Sequence, residues 1–375
     1  MIPVDTVVAT DLRISCSKDE LVRKLGIVSR ALSTRSAVQI LSGVLLRVGE
    51  DGIILSATDM ELSLRAPLEA SADGEGAVVV PGRLLMDLSR LLPESEVVVE
   101  HKAEENVVHL TCGSAAYQLH TYNAEDFPRL PEAGAADLFQ LEAGAFLETV
   151  GRVSRCASRD ESRPVLTGIL VRFEAGRLVM AATDSYRLAV KETPLSDSPP
   201  ELEAIIPARA LTELARIAQD AEQISLGVHE NQILFGLDGV WLTTRRIDGQ
   251  FPNYKQLLPE TFEHEVRLPR EELLEVVRRV SVMAQRNSPL RLRFSDGELT
   301  ISAQTQDVGE ARESLPAGFG GELLEMGFNA DFLREGIESV HDNELRLKLI
   351  SPLRPGLIET ADDFWYLIMP IRLAG

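Results

Sequence analysis

Two short residue pairs first suggest carboxylate chemistry. Thr58-Asp59 and Thr183-Asp184 each place a hydroxyl beside a carboxylate, and carboxylates are common general acids and bases. The two pairs occupy equivalent positions in a sequence repeat, and the third copy of the repeat has Gln304-Thr305 there. Because the copies do not share the pair, and because Asp and Thr favour turns, we predict a turn-forming or capping role.

Histidine, cysteine and glycine patterns add no catalytic or metal site. The six histidines include no pair at metal-ligand spacing, and Cys16, Cys112 and Cys156 are far apart with no C-x-x-C spacing. We expect the cysteines to be small buried side chains. The glycine-rich Gly318–Gly321 has no lysine or threonine to serve a phosphate, so we interpret it as a loop. We predict no catalytic residue, no metal, no cofactor and no enzymatic activity.

Basic residues at helical spacing indicate a phosphate-binding surface. Residues seven apart lie on nearly the same helix face, because two turns take about 7.2 residues. One such stripe is typical of a solvated helix, but its recurrence in a repeated sequence could direct every copy at one common space. The residues predicted to contact nucleic acid from these helices are Arg23, Lys24, Arg30, Arg83, Arg90, Arg152, Arg155, Arg159, Arg163, Arg209, Arg216, Arg279 and Arg286.

The overall charge opposes this interpretation only weakly. The chain has 58 acidic and 38 basic residues, a net charge of −20 at pH 7. Each charge reaches only about 8 Å at physiological salt, so the distribution of charge matters more than its sum. Only 5% of residues are aromatic, which disfavours a surface for stacking single-stranded bases. We therefore expect sequence-independent contact with duplex DNA.

The elements that carry these residues occur three times. Similar sequences that predict a β-hairpin begin at Gly43, Gly168 and Leu290, each with alternating apolar residues around a glycine turn. Each copy also has an amphipathic helix before the hairpin and a strand-helix-strand block after it. Pro81 and Pro207 fit the first turn of that second helix.

Each unit thus has two helices and about eight strands. We predict an α+β fold of three repeated domains, 1–131, 132–260 and 261–375, whose helices pack on antiparallel sheets. No apolar run approaches the roughly 18 residues of a membrane helix, and the N-terminus lacks a secretion signal. We expect a cytoplasmic protein with no membrane association.

The number of helices predicts a partner chain. Helices packed about 10 Å apart would close six of them around a hole of only about 9 Å, whereas twelve would leave about 28 Å. A duplex fits only the larger hole. Two copies of the chain are therefore needed to surround DNA.

Four segments carry a resemblance to a known family. ATDSYRLAV at Ala181, DGQFPNYKQLLP at Asp248, GFNADFL at Gly327 and YLIMPIRL at Tyr366 resemble the bacterial sliding clamps, the beta subunits of DNA polymerase III. The resemblance spans essentially the whole chain. It implies a ring of two chains joined head to tail, which encircles duplex DNA and tethers the polymerase and other replication or repair factors.

The resemblance also implies specific sites. It adds the loop arginine Arg35 and the loop around Asp160 to the DNA contacts, with Pro164 and Val165 where some members have an aromatic pair. For the groove that binds peptides of the polymerase and clamp loader, it implies Leu166, Thr183, Tyr186, Arg187, Leu188, Pro252, Leu257, Asn329, Phe332, Leu353, Pro355, Leu367, Met369, Pro370, Ile371 and Arg372. For the homodimer contact it implies Tyr117, Leu119, Val280, Val282 and Met283.

Three alternatives stay open at this point. A triplicated fold could support an enzyme, although no acid, base or metal cluster is visible in the sequence. The chain could be a duplicate clamp that serves drug resistance or repair. It could also be a scaffold that binds proteins without encircling DNA.

Overall fold

The computed structural model describes residues 11–33, 37–93, 96–131, 137–196, 200–284, 288–305 and 309–373. It divides into two compact units. The first unit comprises Met1–Ala143 and Arg216–Arg246, and the second comprises Gly144–Ala215 and Ile247–Gly375.

The elements follow the predicted repeat. The first copy contains β1 Leu12–Ser17, α1 Lys18–Val28, β2 Gly43–Gly49, β3 Gly52–Thr58, β4 Leu62–Pro67, β5 Ala70–Asp73, β6 Gly76–Pro81, α2 Gly82–Leu91, β7 Glu96–Lys102, β8 Val107–Cys112 and β9 Ala115–His120. The second contains β10 Asp137–Glu142, α3 Ala143–Val153, α4 Pro164–Thr167, β11 Gly168–Glu174, β12 Arg177–Thr183, β13 Arg187–Pro194, β14 Leu202–Pro207, α5 Ala208–Ile217, β15 Gln223–His229, β16 Gln232–Leu237 and β17 Val240–Arg245.

The third copy repeats the order. It contains β18 His264–Pro269, α6 Arg270–Ser281, β19 Leu290–Ser295, β20 Glu298–Thr305, β21 Gly309–Pro316, β22 Leu324–Phe328, α7 Ala330–Glu338, β23 Glu344–Leu349, β24 Gly356–Glu359 and β25 Phe364–Ile368. The prediction of two helices and about eight strands per copy is confirmed, with the four-residue α4 as an addition.

The first unit contains two antiparallel sheets. One has the order β5-β1-β7-β8-β9, and the other has the order β10-β15-β16-β17-β4-β3-β2-β6. The second sheet joins two copies of the repeat, because β17 pairs with β4 from Trp241 opposite Arg65 to Thr244 opposite Leu62. Helix α1 packs on α2 and on strands β3 and β4.

The second unit repeats this arrangement. Its eight-stranded sheet has the order β14-β11-β12-β13-β25-β24-β23-β18, and its four-stranded sheet has the order β21-β20-β19-β22. Here β13 pairs with β25, from Arg187 opposite Ile368 to Lys191 opposite Phe364. A strand of one copy thus again pairs with the last strand of the next copy.

Alternating burial explains the strands. In β4 and β19 every second residue is buried, as expected for a sheet with one face on the core. In β12 six consecutive residues are buried, so both faces are covered. The hairpin between β11 and β12 turns in two residues, Ala175 and Gly176, with φ of 50° and 73°. Two positive φ values are typical of the type I′ turn that favours tight hairpins.

The second helix of each copy begins directly after a strand. Pro81 and Pro207 are the last residues of β6 and β14, one position before the helix rather than inside its first turn as the sequence suggested. They remain in the sheet opposite Gly43 and Gly168. Within the described residues, no helix is long and apolar enough to cross a membrane.

Candidate functional site

A cavity of about 370 Å³ lies in the second unit. It is formed by the turn between β12 and β13, the segment after the short helical turn Tyr254–Gln256, the loop between β23 and β24, and the end of β25. Its lining residues are Thr183, Ser185, Tyr186, Arg187, Leu188, Gln256, Leu257, Pro259, Leu353, Arg354, Pro355, Leu367 and Met369.

A carboxylate-held turn shapes one wall of this cavity. Asp184 Oδ1 accepts hydrogen bonds from the backbone N–H groups of Tyr186 and Arg187, at 2.9 and 3.0 Å. Thr183 Oγ1 donates to the carbonyl of Arg187 and accepts from the N–H of Ser185, which has φ of 81°. The turn therefore directs Tyr186 outward, and the predicted turn role of Thr183-Asp184 is confirmed.

The first copy has the same turn. Asp59 Oδ1 accepts from the N–H groups of Glu61 and Leu62, at 3.1 and 2.9 Å, and Met60 has φ of 79°. Thr58 Oγ1 donates to the carbonyl of Leu62. The shared geometry shows that both Thr-Asp pairs have the same turn-forming role.

The cavity exposes large apolar side chains at one place. Tyr186 is 62% exposed, Leu257 48%, Leu353 57% and Met369 41%. Beneath them, Leu188 belongs to the buried core. Clustered exposed apolar groups of this kind mark surfaces that bind a ligand or a protein segment.

The side chain of Arg187 stabilises the turn that forms this wall of the cavity. Its Nε donates to Asp184 at 3.0 Å, one terminal nitrogen donates to Glu335 and Tyr366, and the other donates to the carbonyl of Arg155 at 2.6 Å. The guanidinium lies 4.2 Å from the centre of the Phe332 ring. Burial opposes its charge, but its hydrogen-bonded neighbours outweigh this and raise the pKa of Arg187 above its ordinary value.

The structure brings together nine of the residues expected in the groove. These are Thr183, Tyr186, Arg187, Leu188, Leu257, Leu353, Pro355, Leu367 and Met369. The lining does not include Leu166, Pro252, Asn329, Phe332, Pro370, Ile371 or Arg372. The lining residues that the sequence analysis missed are Ser185, Gln256, Pro259 and Arg354, of which Ser185 and Arg354 stand between expected neighbours.

Some of the other expected groove residues have structural contacts instead. The side chain of Asn329 caps α7 by accepting from the N–H of Phe332 at 3.0 Å. Phe332 lies under the guanidinium of Arg187. The N–H of Ile371 donates to the carbonyl of Gly327, which pairs the C-terminal segment with β22.

Two basic residues expected to face DNA are buried, and this corrects the sequence analysis. Lys24 is 5% exposed and Arg152 is 1% exposed, so neither can reach a phosphate. Arg152 instead forms ion pairs with Asp362 and Glu148, and its guanidinium lies 4.3 Å from the centre of the Phe364 ring. Its helical spacing was right, but its face points into the protein.

The remaining basic residues lie at the surface. Arg30 is half-buried, and the exposed ones are Arg23, Arg83, Arg90, Arg155, Arg159, Arg163, Arg209, Arg216 and Arg279. Some have acidic neighbours: Arg279 is paired with Glu275 and Glu313. Arg35 and Arg286 lie outside the described residues.

The residues expected at a subunit contact also include both buried and accessible side chains. Leu119 and Val280 are buried in the cores of their own units, which corrects their assignment as contact residues. Tyr117 and Met283 are half-buried, and Val282 is 80% exposed. Cys16, Cys112 and Cys156 are all buried, as predicted. Within the described ranges, no three His, Cys, Asp or Glu side chains cluster so that they could hold a metal ion.

Three family models match nearly the whole chain. The N-terminal, central and C-terminal domains of the DNA polymerase III beta subunit match residues 12–131, 140–253 and 255–372. A curated relative from Streptomyces coelicolor, named "Beta sliding clamp", is 33% identical, with 97% of this chain and 100% of the relative covered.

Solved structures agree in fold over the same length. A DNA polymerase sliding clamp from Bacillus subtilis has a TM-score of 0.90 at 25% identity, with 97% of this chain and 100% of that chain covered. A sliding clamp from Bartonella birtlesii bound to griselimycin has a TM-score of 0.90 at 27% identity and the same coverage. The chain belongs to the beta subunit family of DNA polymerase III, the beta sliding clamps.

Proposed function

We propose that the chain works as a sliding clamp that encircles duplex DNA and tethers the replicative polymerase and other replication or repair factors. Members of the family are non-catalytic processivity subunits. A closed ring keeps the polymerase at its template without tight binding to DNA. The observation that carries the proposal is the 370 Å³ cavity, which lies where the family resemblance puts the peptide groove.

The cavity suits an extended peptide with apolar side chains. Tyr186, Leu257, Leu353 and Met369 offer exposed apolar surface, and the buried network of Arg187 fixes the turn that carries Tyr186. Binding would cover surface that now meets water, which is the main source of affinity in such grooves. We extend griselimycin binding, seen with the Bartonella birtlesii clamp, to this cavity.

A matched pair of substitutions tests the cavity. Met369→Ala should weaken binding of a labelled peptide from the replicative polymerase about tenfold, because it removes apolar contact worth roughly 1.4 kcal/mol. Leu323→Ala is the control, because Leu323 is an exposed apolar residue of the same unit and lies outside the lining. Fluorescence anisotropy measures both. Equal affinities of Met369→Ala and the unmodified protein would contradict the assignment.

For the DNA contact we retain the basic residues that are accessible in the described chain. Arginines at helix surfaces contact phosphates regardless of sequence, and such contacts weaken as salt rises. We also keep Arg35 from the family resemblance and Arg286 from the helical spacing of basic residues. Lys24 and Arg152 are no longer part of the proposal.

The sheet topology supports a head-to-tail homodimer. Strands β4, β13 and β21 are equivalent in the three copies, and so are β9, β17 and β25. Within the chain β4 pairs with β17 and β13 pairs with β25, whereas β21 and β9 are edge strands of their sheets in the described residues. A second chain could supply the same kind of partner to each, which would remove two exposed edges.

Three residues remain in the proposed subunit contact. Val282 and Met283 follow α6, and Tyr117 lies on β9. Thr305 is the last residue of β20, the strand that pairs with β21, and it donates to the carbonyl of Met283 at 2.7 Å, which connects this segment to the edge. We further propose the domain boundaries 1–131, 132–260 and 261–375, and a cytoplasmic location.

A further inference from the structure

The two arginines that line the cavity differ in what they can bind. Arg187 is only 9% exposed, and it already donates to Asp184, Glu335, Tyr366 and the carbonyl of Arg155. Its guanidinium therefore has little capacity left for a ligand. Arg187 is a positioning residue, because it holds the turn that presents Tyr186.

Arg354 is in the opposite situation. It is exposed, and it lies in the loop between β23 and β24. Its backbone N–H donates to the carbonyl of Ser351 at 3.1 Å, and Pro352 and Pro355 restrict the backbone on both sides. Among the carboxylates of the described residues, none lies within 4 Å of its guanidinium.

The other lining residues make this charge distinctive. Apart from the two arginines, the lining consists of uncharged residues: threonine, serine, glutamine, tyrosine, leucine, proline and methionine. In a chain of net charge −20, an acidic peptide would meet general repulsion. One available guanidinium at the cavity would reverse this locally, since arginine pairs with a carboxylate through two parallel hydrogen bonds.

We propose that Arg354 is a specificity-determining residue that pairs with a carboxylate of the bound peptide. The cavity would then prefer segments that combine apolar side chains with an adjacent acidic residue over neutral segments of the same shape. This inference rests on the proposed peptide-binding function and names the chemistry of its ligand. Because the pair would lie at a solvent-exposed rim, we expect a preference of about twofold to fivefold at low salt.

Two matched peptides test the inference. Both are fluorescein-labelled decapeptides with a Leu-Phe pair, and they differ only in Asp or Asn next to that pair, on either side in turn. Fluorescence anisotropy should show tighter binding of the Asp peptide to the unmodified protein at 50 mM salt, and a smaller difference at 500 mM. Arg354→Gln should bind both peptides equally, at the affinity of the Asn peptide.

The control is Arg293→Gln, which removes an exposed arginine of the same unit outside the lining and should keep the preference. Equal binding of both peptides by the unmodified protein would overturn the role of Arg354 and leave the peptide site in place. A preference that persists in Arg354→Gln would do the same. Failure of both peptides to bind the unmodified protein would overturn the proposed peptide site and this inference together.

Discussion

At the residue scale, an ion-pair cluster with two buried cations replaces an expected DNA contact. Arg152 on α3 and Lys191 on β13 both bind Asp362, and Thr360 also donates to this carboxylate. Removing the shared carboxylate would leave two buried cations with fewer compensating contacts, which costs more than an exposed pair contributes. The cluster therefore connects α3, β13 and the turn before β25 within the second unit.

The first prediction concerns the acid stability of this cluster. Burial alone would raise the pKa of Asp362, but hydrogen bonds from Arg152 and Thr360 and the nearby positive charges lower it to about 2. A depressed pKa stabilises the fold above the ordinary value of 3.8, and this stabilisation is lost as pH falls from about 4 to about 2. Asp362→Asn should therefore lower the free energy of unfolding at pH 7 by about 1–2 kcal/mol, discounted for its 41% exposure.

The measurement is urea unfolding at pH 7, 4 and 2.5, followed by circular dichroism. The difference between Asp362→Asn and the unmodified protein should shrink as the pH falls. Asp363→Asn is the matched control, because the neighbouring Asp363 is 49% exposed and lies 3.6 Å from Arg177. A constant difference at all three pH values would show that the carboxylate charge is not the cause.

At the element scale, the pairing of equivalent strands leaves two of these strands with an unpaired edge in the described residues, one in the first copy and one in the third. The pairs β4 with β17 and β13 with β25 use one strand from each of two consecutive copies. The third copy's β21 and the first copy's β9 keep one unpaired edge in the described sheets. An exposed edge next to the 80% exposed Val282 is a surface that the proposed partner chain would cover.

The second prediction places a charge in this surface. Val282→Asp should raise the dissociation constant of the proposed dimer at least tenfold, because a carboxylate would lose hydration in an apolar contact. Sedimentation velocity should then show a 41.2 kDa species where the unmodified protein shows twice that mass. Leu323→Asp, also at an exposed apolar position of the second unit, should leave the dimer intact. A monomeric unmodified protein, or a dimeric Val282→Asp, would contradict this contact.

At the scale of the whole molecule, the charge of −20 becomes compatible with DNA binding if the ring is held by topology. An encircling protein needs only weak attraction to phosphates, and an acidic exterior keeps DNA away from other surfaces. Weak, salt-sensitive contact then favours sliding over fixed binding.

The third prediction tests the ring directly. After loading by the clamp loader, the protein should stay on nicked circular DNA during gel filtration and should leave once the DNA is linearised. Val282→Asp should be lost from both, because an open ring cannot encircle the duplex. Equal retention, or equal loss, of the unmodified protein on circular and linear DNA would refute encirclement.

The local patterns of the sequence predicted much of the fold. Alternating apolar residues indicated the hairpins β2–β3, β11–β12 and β19–β20, and all three form. The Thr-Asp pairs predicted turns correctly for the same reason, since their hydrogen bonds span only two to four residues. The family resemblance predicted sixteen groove residues, and the structure brings nine of them into the lining of one cavity.

Long-range packing decided the rest. The periodicity of α3 placed Arg152 in a stripe, but its burial depends on Asp362, a partner 210 residues away in the chain. Similarly, no local pattern distinguishes Arg187, whose guanidinium is occupied, from Arg354, whose guanidinium is available. The sequence by itself determined the three copies and their elements, because strand and helix periods are local. Only the tertiary structure decided which charges are buried and which face the cavity, because that depends on what packs against each side chain.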